Sequence, residues 1–203
     1  MRKTITLAIV VVALVLGLYV AFIPREEAAV NAVAPKDWKE YSNDSLGVRF
    51  FSPTRLTVAQ NGSYSVTISD ASAQTAEFYY VSVVPSTLLD TNEAEVYNYQ
   101  KAFHQKLLGL AVGEKANLAD VANLAEWYTY VRQPDTVVNG RTARVFLNQN
   151  PWEFPAGTRE YRYVFELRNK TVLVGGYFTD TQVPTRLNLA EFEQIVSSMV
   201  ITD

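Results

Sequence analysis

The sequence predicts an α+β domain, with a mostly antiparallel sheet of six or seven strands flanked by helices on both faces and one transmembrane helix ahead of it. Three observations carry this. Phe78-Tyr79-Tyr80-Val81-Ser82-Val83-Val84 and Val172-Leu173-Val174-Gly175-Gly176-Tyr177-Phe178 are apolar on both faces, so they need cover on both sides. Segments with apolar residues every three or four positions supply helices for that cover. Ahead of both, Ile5 to Ile23 runs without a charged residue.

That first segment, at ~1.5 Å per residue, gives roughly 28 Å of helix, about the thickness of a bilayer's hydrocarbon core. Arg2 and Lys3 precede it, whereas Arg25, Glu26 and Glu27 follow it. The positive-inside rule then keeps the N-terminus cytoplasmic and places the rest outside. The localisation expected is a single-pass cell-membrane protein with an extracytoplasmic C-terminal domain. A cleaved signal peptide is the alternative. Its apolar core usually spans about 7–15 residues before a small-x-small site. Here the core is longer, and the candidate sites Val30-Asn31-Ala32 and Ala32-Val33-Ala34 lie well beyond Ile23, which favours an uncleaved anchor. A lipoprotein anchor needs a cysteine, and the chain has none.

The domains expected are therefore 1–23, a cytoplasmic stub and transmembrane helix; 24–37, an Ala-rich linker bounded by Pro24 and Pro35; and 38–203, the extracytoplasmic domain. The last is one ordinary domain in length. The chain as a whole is 48% apolar and 12% aromatic, and the domain can bury a core without disulfides. Zero Cys also removes thiolate metal sites and a cysteine nucleophile. The net charge of −3, without Lys/Arg clusters, argues against nucleic acid as a partner.

Trp38 to Tyr41 and Gly47 to Phe51, turning at Asn43-Asp44-Ser45, read as a first hairpin. Leu56–Gln60 and Ser63–Ser69 flank Asn61-Gly62, a strong hairpin signal. After the Phe78–Val84 strand, Asn92 and Glu95 have capping-box spacing, and Val96, Tyr99, Phe103, Leu107 and Leu110 form one stripe, ended by Gly109 or Gly113. A weaker helix is expected from Asn117 to Tyr128. Val137-Val138 turns at Asn139-Gly140 into Arg141–Leu147. Arg159–Leu167 turns near Arg168-Asn169-Lys170 into Thr171–Phe178. A last helix starts at Asn188, with Glu191 three residues on, and buries Phe192, Ile195, Val196 and Met199. Phe103, Leu107, Tyr80, Val83, Val174, Phe192 and Ile195 are expected in the core.

Candidate chemistry is sparse. His104 is the only histidine and borders a helix stripe, with no nucleophile motif framing any serine. The acidic run Asp90 to Glu95 lacks the glycine and distal Glu of a calcium loop and suits the first turn of a helix. Glu160, Arg162, Glu166 and Arg168 alternate with Tyr161, Tyr163, Phe165 and Leu167, which reads as a solvated charged face opposite an aromatic core face. Gly175-Gly176 reads as a bulge or a close crossing. No nucleotide motif is present, and no catalytic residue, cofactor or metal site is expected. The segment Asn148 to Gly157 places Trp152 and Phe154 in a loop, where they are the candidate partner-binding residues; the alternative is that they fold back over the sheet edge.

The order of Trp38…Tyr41, Gly47-Val48-Arg49-Phe50-Phe51-Ser52-Pro53, the long helix, Val138-Asn139-Gly140-Arg141-Thr142-Ala143, the tyrosine-rich hairpin and Phe192-Glu193-Gln194-Ile195-Val196-Ser197-Ser198-Met199 resembles PsbP-like domains, most of all the membrane-tethered bacterial type. It departs from that pattern at Phe51-Ser52, where a Tyr stands before the proline in the family. The resemblance implies an antiparallel sheet between helices and a binding or accessory role, since plant relatives are extrinsic subunits of a membrane complex and a eukaryotic relative binds a small GTPase. It brings no catalytic residues. The function expected is a membrane-anchored extracytoplasmic interaction or accessory module without catalysis, touching the bilayer through residues 5–23 and an envelope or membrane protein complex through its domain. The alternative is an extracytoplasmic hydrolase.

Overall fold

Alternating apolar residues between short polar turns build most of this chain into strands. The computed structural model describes residues 34–70, 78–86, 95–117, 129–149, 151, 154, 157–179 and 187–203, with the backbone alone over 95–101. Ala34–Asp203 is one compact unit. The 5–23 segment lies outside the described residues, among which no helix is long and apolar enough to cross a membrane.

β1 (Trp38–Asn43) and β2 (Val48–Pro53) form the expected first hairpin, and the short β11 (Val200–Ile201) joins β2 to complete a three-stranded sheet. The main sheet has eight antiparallel strands. These are β3 (Thr57–Asn61), β4 (Ser65–Ser69), β5 (Tyr79–Pro85), β6 (Lys115–Asn117), β7 (Thr129–Val138), β8 (Arg141–Asn148), β9 (Thr158–Glu166) and β10 (Lys170–Thr179). Their spatial order is β3-β4-β5-β10-β9-β8-β7-β6. Two helices are described, α1 (Glu95–Leu108) and α2 (Leu189–Ser197).

The turn chemistry read from the sequence forms these hairpins. Gly62 at φ +68 joins β3 to β4, and Asn139 and Gly140, at φ 47 and 79, join β7 to β8 as a two-residue loop demands. Asn139 also ties its turn to the end of α2, because its Nδ2 donates to the carbonyls of Ser197 (3.3 Å) and Met199 (2.8 Å). At the other end of α2, Asn188 Oδ1 accepts the Glu191 amide at 2.8 Å, the cap that its spacing predicts. Tyr79 on β5 holds the same end, donating to Glu191 Oε1 (3.1 Å) and accepting from the Asn188 amide (3.0 Å).

The layering differs from the expectation of six or seven strands with helices on both faces. The main sheet is wider, and one of its faces is covered by a second sheet with a single helix inserted beside it. Val48 and Phe50 of β2 and Ile201 of β11 share one apolar cluster with Phe192, Ile195 and Val196 of α2 and with Val81, Phe165, Val172 and Val174 of the main sheet. Strands greasy on both sides do need two covers, but β1–β2–β11 supplies one that the sequence pattern assigns to helices. On the opposite face Phe103 and Leu107 of α1 pack with Ala116, Tyr130, Phe146 and Val164. The helix expected over 117–128 is contradicted at its start, since Asn117 ends strand β6; residues 118–128, like the proposed cap Asn92, lie outside the described residues. Of the expected core residues all are buried except Tyr80, which is half-buried.

Candidate functional site

The strand β9 carries the most concentrated polar chemistry of the domain, and the sheet register explains why. Glu160 lies opposite Tyr177 of β10 on one side and Asn148 of β8 on the other, with Tyr130 of β7 opposite Asn148. Two residues along, Arg162 lies between Gly175 of β10 and Phe146 of β8, with Tyr80 of β5 opposite Gly175. Residues two apart on a strand point to the same face. Two adjacent cross-strand rows therefore bring Glu160, Arg162, Tyr80 and Tyr130 together on the face that α1 covers.

These side chains close on one another. The hydroxyls of Tyr80 and Tyr130 each donate to Glu160 at 2.6 Å, one to each carboxylate oxygen. Arg162 donates to Oε1 from Nη2 at 2.8 Å and from Nε at 3.1 Å, and its Nε also reaches the Tyr80 hydroxyl at 3.0 Å. Asn148 Nδ2 stands 3.5 Å from Oε2. The Arg162 guanidinium lies over the Tyr130 ring, 4.7 Å from its centroid, in cation–π contact. Gly175 makes this possible: a Cβ there would collide with Cζ of Tyr80, so the glycine is the gap through which the Tyr80 ring crosses β10 to reach Glu160.

Glu160 has 0% of its surface exposed and Arg162 is largely buried, which corrects the reading of this alternation as a solvated face. Only its far end fits that reading, since Glu166 and Arg168 are exposed. Burial, with the Glu160 charge beside them, pushes both tyrosine hydroxyls well above their ordinary value, against the opposing pull of Arg162. Burial works against the Arg162 charge, but Glu160 together with Tyr130, Tyr80 and Tyr177 more than offsets it, and Arg162 is held above its ordinary value.

His104 on α1 is close enough to feel this group. Its pKa is pushed down to about 4, by burial first and then by the positive charges of Arg162 and Arg144, so it is neutral at pH 7. Its Nε2 is buried without a hydrogen-bond partner. At neutral pH this imidazole carries no proton to give as an acid, and the lowered pKa makes it a weak base. Among the described residues no cluster of His, Asp or Glu is placed to hold a metal ion. The acidic run from Asp90 lies outside them except for Glu95, which opens α1.

Of the two candidate partner-binding residues, Trp152 lies outside the described residues. Phe154 is half-buried and stacks on Tyr177 of β10, with centroids 4.1 Å apart and planes 7° from parallel. Phe78 stands beside both, 5.1 Å from Tyr177 and 6.3 Å from Phe154. The aromatic group continues inward through Tyr80, 6.0 Å from Tyr177, to the Glu160 network. Phe154 thus lies back on the sheet, and the loop's aromatic end adjoins the buried polar group, a juxtaposition the sequence did not disclose.

No known protein family and no curated protein matches the chain. Among solved structures it is similar to the solution structure of cyanobacterial PsbP (CyanoP) from Synechocystis sp. PCC 6803, at 14% identity and a TM-score of 0.49, over 84% of this chain and 96% of that one. It is also similar to a crystal structure from Bacteroides thetaiotaomicron, at 8% identity and a TM-score of 0.42, over 82% of this chain. The chain spans about half (49%) of that second protein's length.

Proposed function

We propose that this chain is a membrane-anchored extracytoplasmic interaction or accessory module that performs no catalysis, a PsbP-like domain of the tethered bacterial type. The observation that carries the reading is the closure of the Glu160 network. A general acid or base must present a lone pair or proton to a substrate. Here both carboxylate oxygens are taken by Tyr80, Tyr130 and Arg162, none of the carboxylate is exposed, and the nearby half-buried His104 is neutral. Such a group holds strands in place rather than turning over a ligand.

The anchor at 5–23, with the cations ahead of it, supports an N-in, C-out arrangement with the domain beside membrane or envelope partners. Trp152 and Phe154 are the proposed contact, and Phe154 stands at the aromatic end of the domain beside Tyr177 and Phe78. Chemical crosslinking of the full chain in its native membranes, followed by affinity capture, tests this. The expected result is a reproducible protein partner whose recovery falls in Trp152→Ala. Turnover in a hydrolase screen that is abolished by Glu160→Gln in a folded variant overturns it.

A further inference from the structure

The open edges of the two sheets are unequally protected. An edge strand offers unpaired amides and carbonyls to any other strand, and proteins blunt such edges with charge, proline, bulges or brevity. β1 carries Lys39 and Glu40, both exposed. β6 covers only Thr129–Val131 of β7, with Gly113 and Glu114 extending the cover to Arg132. Beyond that, β7 is broken by a register shift between Gln133 and Thr136, contains Pro134, and carries Asp135 clamped by Arg132. β11 has two residues, with Asp203 close behind it.

β3 has none of these guards. It forms the outer strand of the eight, pairs only with β4 among the described residues, and is exposed at every position but Val58. No charged residue stands anywhere from Leu56 to Ser69, so the whole β3–β4 hairpin is neutral in a chain that is 19% charged. Thr57-Val58-Ala59-Gln60-Asn61 also contains no proline and no glycine.

We infer that β3 is a self-association edge whose occupant is the β3 strand of a second copy, paired antiparallel about a two-fold axis at Ala59. The sequence suits that register. Thr57 then faces Asn61 of the other copy, two polar side chains able to hydrogen-bond on the outer face, while Val58 faces Gln60 and the small Ala59 faces itself on the axis. Arg55 lies in the turn before β3, outside the five paired residues, so no charged side chain falls within the register. Arg55 itself is ion-paired to Glu191 of its own chain. A two-fold pairing closes on itself and ends in a dimer instead of a fibre. This inference stands apart from the proposed function, since it concerns copies of the same chain.

The absence of native cysteine makes the test specific. In the full chain held in detergent micelles, Ala59→Cys should give a disulfide-linked dimer under mild oxidation, because the two Cβ atoms on the axis are directly opposed. Val112→Cys and Val137→Cys, at positions 61% and 68% exposed, serve as controls away from the edge. Crosslinking of Ala59→Cys about tenfold or more above both controls is expected; equal yields overturn the proposal. Ala59→Lys and Ala59→Glu each place like charges on the axis and should weaken association by about tenfold or more in sedimentation, whereas their equimolar mixture should restore a dimer. Wild-type association in Ala59→Lys, failure of the mixture to associate, or a β3 edge that crosslinks only to an unrelated protein overturns it.

Discussion

On one face of the main sheet Phe165, Val172 and Val174 lie against Phe192, Ile195 and Val196 of α2 and against Phe50 of the small sheet. On the other face, beside the apolar contacts of α1, Glu160 and Arg162 lie between Tyr80 and Tyr130. Both regions are buried and carried by the same strands, yet they are stabilised by unlike means. The first rests on apolar area, which is non-directional and tolerates exchange of one hydrophobe for another of similar volume. The second rests on hydrogen bonds that cannot be replaced singly, because each lost partner leaves a buried charge or hydroxyl unsatisfied. An apolar face can drift in evolution; a closed polar group must change together or remain.

Near-isosteric substitutions should separate the two most widely. Glu160→Gln removes the charge that Arg162 faces and should cost about 3–5 kcal/mol of unfolding free energy. Ile195→Leu, at an equally buried position, should cost less than about 1.5 kcal/mol. Denaturant titrations of both variants give the comparison. The sharper form replaces the whole group: Glu160→Leu with Arg162→Met, Tyr80→Phe and Tyr130→Phe should be more stable than Glu160→Leu alone. A quadruple variant less stable than the single one would show that the network contributes more than the sum of its unsatisfied parts.

Acid should expose the same contrast through His104. Its folded pKa, about 4, lies below its ordinary 6.5, so the neutral form is the one the fold accepts. Stability present above pH 6.5 is therefore lost as pH falls toward 4, because the unfolded chain takes up a proton that the folded chain refuses. The loss attributable to this residue should reach roughly 2–3 kcal/mol. His104→Gln should flatten that part of the pH profile of the urea midpoint, while carboxylates account for whatever remains. A variant with the wild-type profile would remove His104 from the account.

What can be read from the chain alone follows the range of the interactions. The Asn61-Gly62 and Asn139-Gly140 hairpins and the Asn188 cap depend on residues within a few positions of one another, and all three form. The Glu160 network depends on tyrosines 30 and 80 residues away in sequence. Alternating charges on a strand look the same whether they face water or each other, so the alternation by itself places Glu160 and Arg162 in solvent. The available clue is Gly175, a glycine in the middle of an apolar strand, which is the gap through which Tyr80 crosses. The second sheet is hidden for a related reason: β11 is two residues long, too short for any period to show.

That clue can be tested by closing the gap. Gly175→Ala puts a methyl group against the Tyr80 ring and should push its hydroxyl off Glu160, at a cost of about 1–3 kcal/mol. If the cost arises there, it should shrink in a Tyr80→Leu background, where both the ring and its hydroxyl are absent. An undiminished cost would place the strain in the backbone instead.

The smallest effects belong to the aromatic end, where the two kinds of region meet. Phe154 is stacked on Tyr177 and half-buried, so Phe154→Ala removes a ring contact and part of a side chain's burial, about 1–2 kcal/mol. Trp152→Ala should leave the melting temperature nearly unchanged if its ring serves a partner, and should weaken capture of that partner roughly tenfold, the equivalent of about 1.4 kcal/mol. Tyr177→Leu provides the control, because it takes the stack from Phe154 without touching the loop. Equal losses of stability in all three variants would make the loop a flap over the sheet edge. A Trp152→Ala protein that melts like the wild type but no longer holds its partner would instead divide the loop's two aromatics between packing and recognition.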